Sequence, residues 1–268
     1  MGPNRPELFV TDLDRTVLLE DATATERTIK AIAAARAAGV PVVICTARSP
    51  RSAVPLAREL GIVDGYAICG SGSTISDIAL DRIEVRHPMA ADLAWELVTR
   101  TRQRLPGVAF SAEREERYYR EEHYHSTLLP PIPAVVEDAS VFLRRGPEVS
   151  KVNVRHPEVD DDRLFSAVLA SVEELGLSSV ISAAGFVEVL GPGVDKGLGT
   201  RWVAERWEID RGSVVAFGDD RPDLPMLEWA GHGVAVADAH PDVLAIADEV
   251  CSAHHLDGVA AVIERLLS

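Results

Sequence analysis

Leu8-Phe9-Val10-Thr11-Asp12-Leu13-Asp14-Arg15-Thr16 is the stretch on which the fold turns. Leu8, Phe9 and Val10 form a short continuous apolar run, which reads as a buried strand ending at Thr11 and Asp12. An alanine-rich helix is predicted next, over about residues 24–38, with Thr23 or Thr25 as N-cap and Gly39 as its stop. Val40-Pro41-Val42-Val43-Ile44-Cys45 reads as a second strand, 52–60 as a second helix closed by Gly61, and Tyr66-Ala67-Ile68-Cys69 as a third strand. Continuous apolar strands separated by helices indicate βαβ units. The expectation is an α/β fold, Rossmann-like, with a parallel sheet covered by helices on both faces.

The texture changes at about Ile83. Short strands at 108–110, 152–154, 180–181 and 186–189 alternate with helical stretches at about 90–105 and 161–175, as in a separate α+β unit. The opening rhythm then resumes, with a helix from Lys196 to Trp207, a strand at 214–217, a helix over 222–229 and a strand at 234–236. The simplest organisation is one catalytic core of residues 1–82 and 190–268, interrupted by an inserted α+β cap domain of residues 83–189.

The chain has 268 residues, a net charge of −15 and 47% hydrophobic content. That composition suits a globular chain and disfavours nucleic acid or an anionic membrane surface, which need a basic face. Residues 191–268 hold 14 acidic and 6 basic side chains, so the excess is concentrated near the C-terminus. Three cysteines, Cys45, Cys69 and Cys251, make no disulfide framework and read as small buried hydrophobes. No apolar run is long enough to span a membrane, and the N-terminus lacks a signal-peptide layout. A cytoplasmic protein, monomeric or weakly dimeric, is expected.

Polar residues gather where open α/β sheets carry their sites, beyond the carboxyl ends of strands. They are Asp12 to Thr16 after the first strand, Thr46-Ala47-Arg48 after the second, and Gly218-Asp219-Asp220-Arg221-Pro222-Asp223 after a later one. Each lone Asp also suits a turn or a helix cap. Adjacent strands would bring the carboxylates together, where they repel one another unless a cation sits among them. Hard oxygen ligands favour Mg²⁺, which also binds substrate phosphates. Arg48 and the backbone around Thr46 could bind an anion at a helix start. The chain uses 24 arginines and only three lysines, Lys30, Lys151 and Lys196, so a lysine opening a helix in Gly193-Val194-Asp195-Lys196-Gly197 suggests that a compact charge is wanted there.

In the order VTDLDRT, ICTAR, VDKG and FGDDRPDLPML, these segments resemble the four motifs of the haloacid dehalogenase (HAD) superfamily of phosphohydrolases. The insertion between the second and third motifs, and the tail GVAVADAHPDVLAIADEV, are similar to its Cof-like branch (subfamily IIB), which includes sugar phosphatases. The resemblance implies a Mg²⁺-dependent phosphatase acting on a small phosphorylated substrate. It implies Asp12 as the nucleophile that becomes an aspartyl-phosphate, and Asp14 as general acid and base. Thr46, Ala47, Arg48 and Lys196 would bind the phosphoryl group, with Thr46 and Lys196 counted among the catalytic residues. Asp12, the Asp14 carbonyl, Asp219 and Asp223 would hold the metal.

Five positions depart from the family pattern. Arg15 and Ala47 stand where glycine is usual, and Ser71, Pro222 and Asp238 where asparagine is usual. Two other readings remain open, a phosphomutase or phosphotransferase using the same aspartyl-phosphate, and, suggested by Pro222, Ser71 and Asp238, a non-catalytic phosphate-binding regulatory protein. The segment from Glu113 to His125, with three tyrosines and three arginines, reads either as a solvated hairpin or helix, or as a part that grips substrate. Asp160-Asp161-Asp162 reads as a helix N-terminal charge cluster, and His254-His255 as a surface loop lacking metal-ligand partners at sensible spacing.

Overall fold

A computed structural model of the chain describes residues 5–114, 117–125, 133–182 and 185–268. In chain order, the first part holds β1 (Leu8–Thr11), α1 (Glu26–Ala37), β2 (Val42–Cys45), α2 (Pro50–Glu59), β3 (Tyr66–Cys69), β4 (Thr74–Asp77) and β5 (Arg82–Arg86). The middle holds β6 (Met89–Ala90), α3 (Ala91–Arg104), β7 (Ala109–Arg114), β8 (Arg117–Arg120), β9 (Ala134–Val136), α4 (Ala139–Phe142), β10 (Glu148–Val149), β11 (Lys151–Arg155), α5 (Asp161–Leu175), β12 (Ser178–Ser182) and β13 (Phe186–Leu190). The last part holds α6 (Lys196–Arg206), β14 (Val214–Gly218), α7 (Leu224–Trp229), β15 (His232–Val236), α8 (Pro241–Ile246), β16 (Glu249–Cys251) and α9 (Gly258–Leu267). Among the described residues, no helix is long and apolar enough to cross a membrane.

The chain divides into two units, residues 1–85 with 195–268, and residues 86–194. The first unit is built on an eight-stranded sheet in the order β16-β15-β14-β1-β2-β3-β4-β5. Its six strands from β16 to β3 are parallel, and β4 turns back antiparallel on β3. The short apolar runs explain this. Leu8, Phe9, Val43, Ile44, Val214 and Phe217 are buried, as strands covered on both faces require. The α1 side chains that pack inward are Thr28, Ala31, Ile32 and Ala35, the three- and four-residue spacing of one helix face. Thr25 caps α1, its hydroxyl accepting the Thr28 N–H at 3.1 Å.

The strand order positions the charged residues at the carboxyl ends of β1 and β14. After β1 the chain proceeds outward to β2 and β3, and it later returns to β14 on the other side of β1. The direction of winding thus reverses between β1 and β14, where open α/β sheets leave a crevice at the carboxyl ends. Register places Leu8 beside Val214 and Thr11 beside Phe217, so Asp12 and Gly218-Asp219 emerge side by side.

The second unit has its own sheet, in the order β12-β13-β11-β7-β8-β9, and its own core around Leu97, Phe110, Phe142, Val152, Val168 and Val187. Asp160 caps α5 by accepting the Arg163 N–H at 2.8 Å, the role that the acidic run suggests. The segment from Glu113 to His125 forms a hairpin of β7 and β8, with Glu115 and Glu116 outside the described residues. It is not a solvated one: Tyr118, Tyr119 and Tyr124 are buried. Arg114 spends its guanidinium on the carbonyls of Phe142, Leu143, Gly146 and Glu148.

Candidate active site

Four elements of the first unit deliver the charged side chains. Asp12 follows β1, Asp219 follows β14, Asp223 closes the 3-10 turn Arg221–Asp223 that leads into α7, and Lys196 opens α6. Lys196 Nζ donates to Asp12 Oδ1 at 2.7 Å and to Asp223 Oδ1 at 2.6 Å, with all three side chains buried. Asp223 Oδ2 accepts the backbone N–H groups of Asp219 at 2.9 Å and Asp220 at 3.1 Å. The Thr16 hydroxyl donates to Asp219 Oδ1 at 2.9 Å. Asp12, Asp219 and Asp223 each place an oxygen within 4.8 Å of the others.

Burial pushes the Asp12 and Asp219 carboxyls well above the usual carboxylate range, and neighbouring carboxylates push them further while Lys196 opposes the rise. Ionised together, the three carboxylates would face a single ammonium, an excess of two negative charges in a buried place that the raised carboxyls avoid by holding protons. Crowded hard oxygens with that deficit fit a divalent cation of the Mg²⁺ type. Both Asp223 oxygens are already engaged, by Lys196 and by the two amides. Asp12 and Asp219 are each engaged at Oδ1 alone among the described residues, by Lys196 and by Thr16 respectively.

Asp14 stands apart from that cluster. Its carboxylate is gripped in two-point fashion by Arg48, Nε to Oδ2 at 2.8 Å and Nη2 to Oδ1 at 2.6 Å. The Arg48 side chain is buried and the Asp14 side chain about half exposed. Thr46 is fully buried, and its hydroxyl oxygen accepts the Arg48 backbone N–H at 3.1 Å, which leaves its own proton to donate. Ala47 lies between them, half-buried, two residues before Ser49 at the start of α2.

A neighbouring turn, not singled out by the motif spacing as a support, holds these loops in place. Gly70 N–H donates to the Arg48 carbonyl at 2.8 Å and Ser71 N–H to the Thr46 carbonyl at 3.0 Å. Ser71 adopts φ 53, the left-handed region that asparagine tolerates better than serine. Gly72 has φ +97, and a Cβ there would lie 2.0 Å from the Asp195 carbonyl oxygen. Gly72→Ala is expected to lower stability by about 2 kcal/mol or more in denaturant unfolding, and to lower activity by shifting Asp195 and with it Lys196. Among the departures, Pro222 sits in the first turn of a helical segment, where its missing N–H has no bond to lose. Arg15 takes φ 57, the conformation for which glycine is the easier residue.

Comparison with known proteins supplies the family and the fold. Residues 9–263 match the family model of haloacid dehalogenase-like hydrolases. The pyridoxal phosphate phosphatase YbhA of Escherichia coli (strain K12) is 30% identical over 94% of this chain and 95% of its own. The 5-amino-6-(5-phospho-D-ribitylamino)uracil phosphatase YitU of Bacillus subtilis (strain 168) is 25% identical, with 98% of each chain covered. Among solved structures, the HAD subclass IIB sugar phosphatase BT4131 superposes with a TM-score of 0.80 at 21% identity, covering 97% of this chain and 98% of its own. At that identity the likeness speaks for the fold. With the motif residues assembled at the switch point of the sheet and the match running through nearly the whole chain, the protein belongs to the haloacid dehalogenase-like hydrolases.

Proposed function

We propose that this phosphatase is Mg²⁺-dependent and hydrolyses a small phosphate monoester, a sugar phosphate in the first instance, through an aspartyl-phosphate on Asp12. The observation that carries the reading is the buried Lys196 bridging Asp12 and Asp223, with Asp219 beside them. Such a cluster costs stability in a resting protein. It suits a reaction in which charge must be positioned and neutralised.

Asp12 attacks phosphorus, the bond to the alkoxide leaving group breaks, and Asp14 supplies the proton that the alkoxide takes. Water then attacks the aspartyl-phosphate, gives its proton to Asp14, and free phosphate leaves with Asp12 restored. Lys196 holds Asp12 in place and offsets charge on the phosphoryl oxygens. Thr46 donates its hydroxyl proton to the same group. A phosphoryl group competes with Asp14 for Arg48, and that exchange would release Asp14 for proton transfer. The residues that would hold Mg²⁺ are Asp12 through its carboxylate, Asp14 through its carbonyl and Asp219, with Asp223 fixing Asp219 through the backbone amides. The bound ion supplies charge neutralisation between Asp12 and the incoming phosphate.

Phosphate release measured across a panel of sugar phosphates tests the reading. Release is expected with Mg²⁺, is expected to vanish in EDTA, and to return when Mg²⁺ is restored. Turnover that survives EDTA would exclude the metal. Conversion of one phosphate isomer into another, with little free phosphate, would make the enzyme a mutase.

A further inference from the structure

His254 and His255 follow β16 in the short turn His254–Leu256, and they lack ligand partners at any sensible spacing along the sequence. The fold supplies a partner. Asp238, two residues beyond β15, places Oδ2 2.6 Å from His254 Nδ1 and 3.9 Å from His255 Nδ1. Its Oδ1 accepts the His254 backbone N–H at 3.1 Å. Ligating atoms of the three residues lie within 4.8 Å of one another. Nor is His254 a surface residue: its side chain is 2% exposed.

The hydrogen bonding of His254 is incomplete. Its Nε2 is buried and has no hydrogen-bond partner among the described residues. Glu20 Oε1, on an exposed side chain in the loop after β1, stands 3.8 Å away, beyond hydrogen-bond reach. A neutral imidazole carries one N–H, and the Asp238 carboxylate claims it at Nδ1. Nε2 is then a bare acceptor inside the protein, stripped of water with no hydrogen bond in exchange. A cation on Nδ1 reverses the assignment. The proton moves to Nε2, and the flexible Glu20 has only to close a short gap to accept it. A metal-bound imidazole whose other nitrogen donates to a carboxylate is the common arrangement of histidine ligands.

We propose that Asp238 Oδ2, His254 Nδ1 and His255 Nδ1 form a binding site for a zinc-like divalent cation, with Glu20 as the outer carboxylate and water completing the coordination. Two imidazoles and one carboxylate select a borderline ion over Mg²⁺, which prefers oxygen throughout. With bonds of about 2.0–2.2 Å, two ligands of one ion can stand up to about 4 Å apart, which admits the His255 pair. The His254 pair opens to about 3.3 Å when the ion enters, the edge of a tetrahedron with such bonds. The ion ties together the ends of β15 and β16 and the loop after β1. The same segment holds the active site, since His240 N–H donates to the Asp219 carbonyl at 2.7 Å.

The test uses the full chain, stripped with a chelator and kept in saturating Mg²⁺ so that the all-oxygen cluster is filled. One equivalent of Zn²⁺ is expected to bind by calorimetry and to raise the unfolding midpoint, and Co²⁺ is expected to give the visible band of a four-coordinate nitrogen and oxygen site. His255→Ala alters an exposed side chain and preserves the fold. It and Asp238→Asn are each expected to weaken Zn²⁺ binding roughly tenfold or more, and Glu20→Ala about tenfold. No uptake of Zn²⁺ in the presence of Mg²⁺ would overturn the proposal. So would uptake indifferent to both His255→Ala and Asp238→Asn.

Discussion

Asp12→Asn is expected to reduce phosphate release by about three orders of magnitude or more, with the loss in kcat and little change in KM. The substitution keeps the size of the side chain and a carbonyl oxygen for Lys196, whose ammonium lies 2.7 Å from Asp12 Oδ1. It removes the nucleophilic carboxylate and nothing else of that shape. Stability moves differently from activity. Burial and the neighbouring carboxylates push the Asp12 carboxyl upward, so its charged form is under strain without a metal. Removing that charge relieves the crowding while it weakens the ion pair, and the unfolding midpoint is expected to stay near that of the parent chain. Rapid acid quenching with labelled substrate should trap a phosphorylated chain in the parent and none in the variant. Undiminished turnover by a folded Asp12→Asn protein would remove Asp12 from the reaction.

Lys196→Met is expected to damage both stability and activity. Methionine fills the volume of the lysine stem, so the difference is the charge. Lys196 is the ammonium shared by Asp12 and Asp223 in a buried cluster, and its loss leaves those carboxylates facing Asp219 with no cation from this helix. Breaking a buried pair by removing one member costs about 3 kcal/mol or more. At 2–4 °C per kcal/mol for a chain of comparable size, the midpoint falls by roughly 6–12 °C. Loss of a preorganised charge beside the transferring group costs about a hundredfold to a thousandfold in kcat. Saturating Mg²⁺ should recover part of the midpoint, because the ion supplies positive charge to the same oxygens, and little of the rate. A variant with parental kcat would show that Lys196 serves only the fold.

The two effects share a cause that is only half legible in the sequence. Short apolar strands alternating with helices identify the α/β core, because a strand covered on both faces can dispense with polar positions. Gly39 after α1 and an acidic run at the start of α5 follow from local chemistry and lie where expected, and the structure chooses Thr25 over Thr23 as the cap of α1 and Asp160 as the cap of α5. Several elements escape that logic. The strand β4, with Thr74 and Ser76 buried, and the edge strand β16, with Val250 exposed, gain their pairing from neighbours rather than from hydrophobic periodicity. The tyrosines of the segment from Glu113 to His125 look like surface residues among their arginines, yet they are buried, Tyr119 against Phe142 and Tyr118 and Tyr124 in a small cluster with Ala109.

The candidate site divides in the same way. Motif order along the chain, from Asp12 through Thr46 and Lys196 to Asp219 and Asp223, belongs to the sequence by itself, since each residue sits at the end of a strand or the start of a helix whose local signals are plain. Distances do not. That Lys196 divides its charge between Asp12 and Asp223, that Arg48 clasps Asp14 with two bonds, and that Asp238 meets two histidines from the loop after β16 depend on strand order and register in the parallel sheet. Pairing of β1 with β14 joins residues about two hundred positions apart, and only the packed core, by burying both strands on both faces, makes that pairing the stable one.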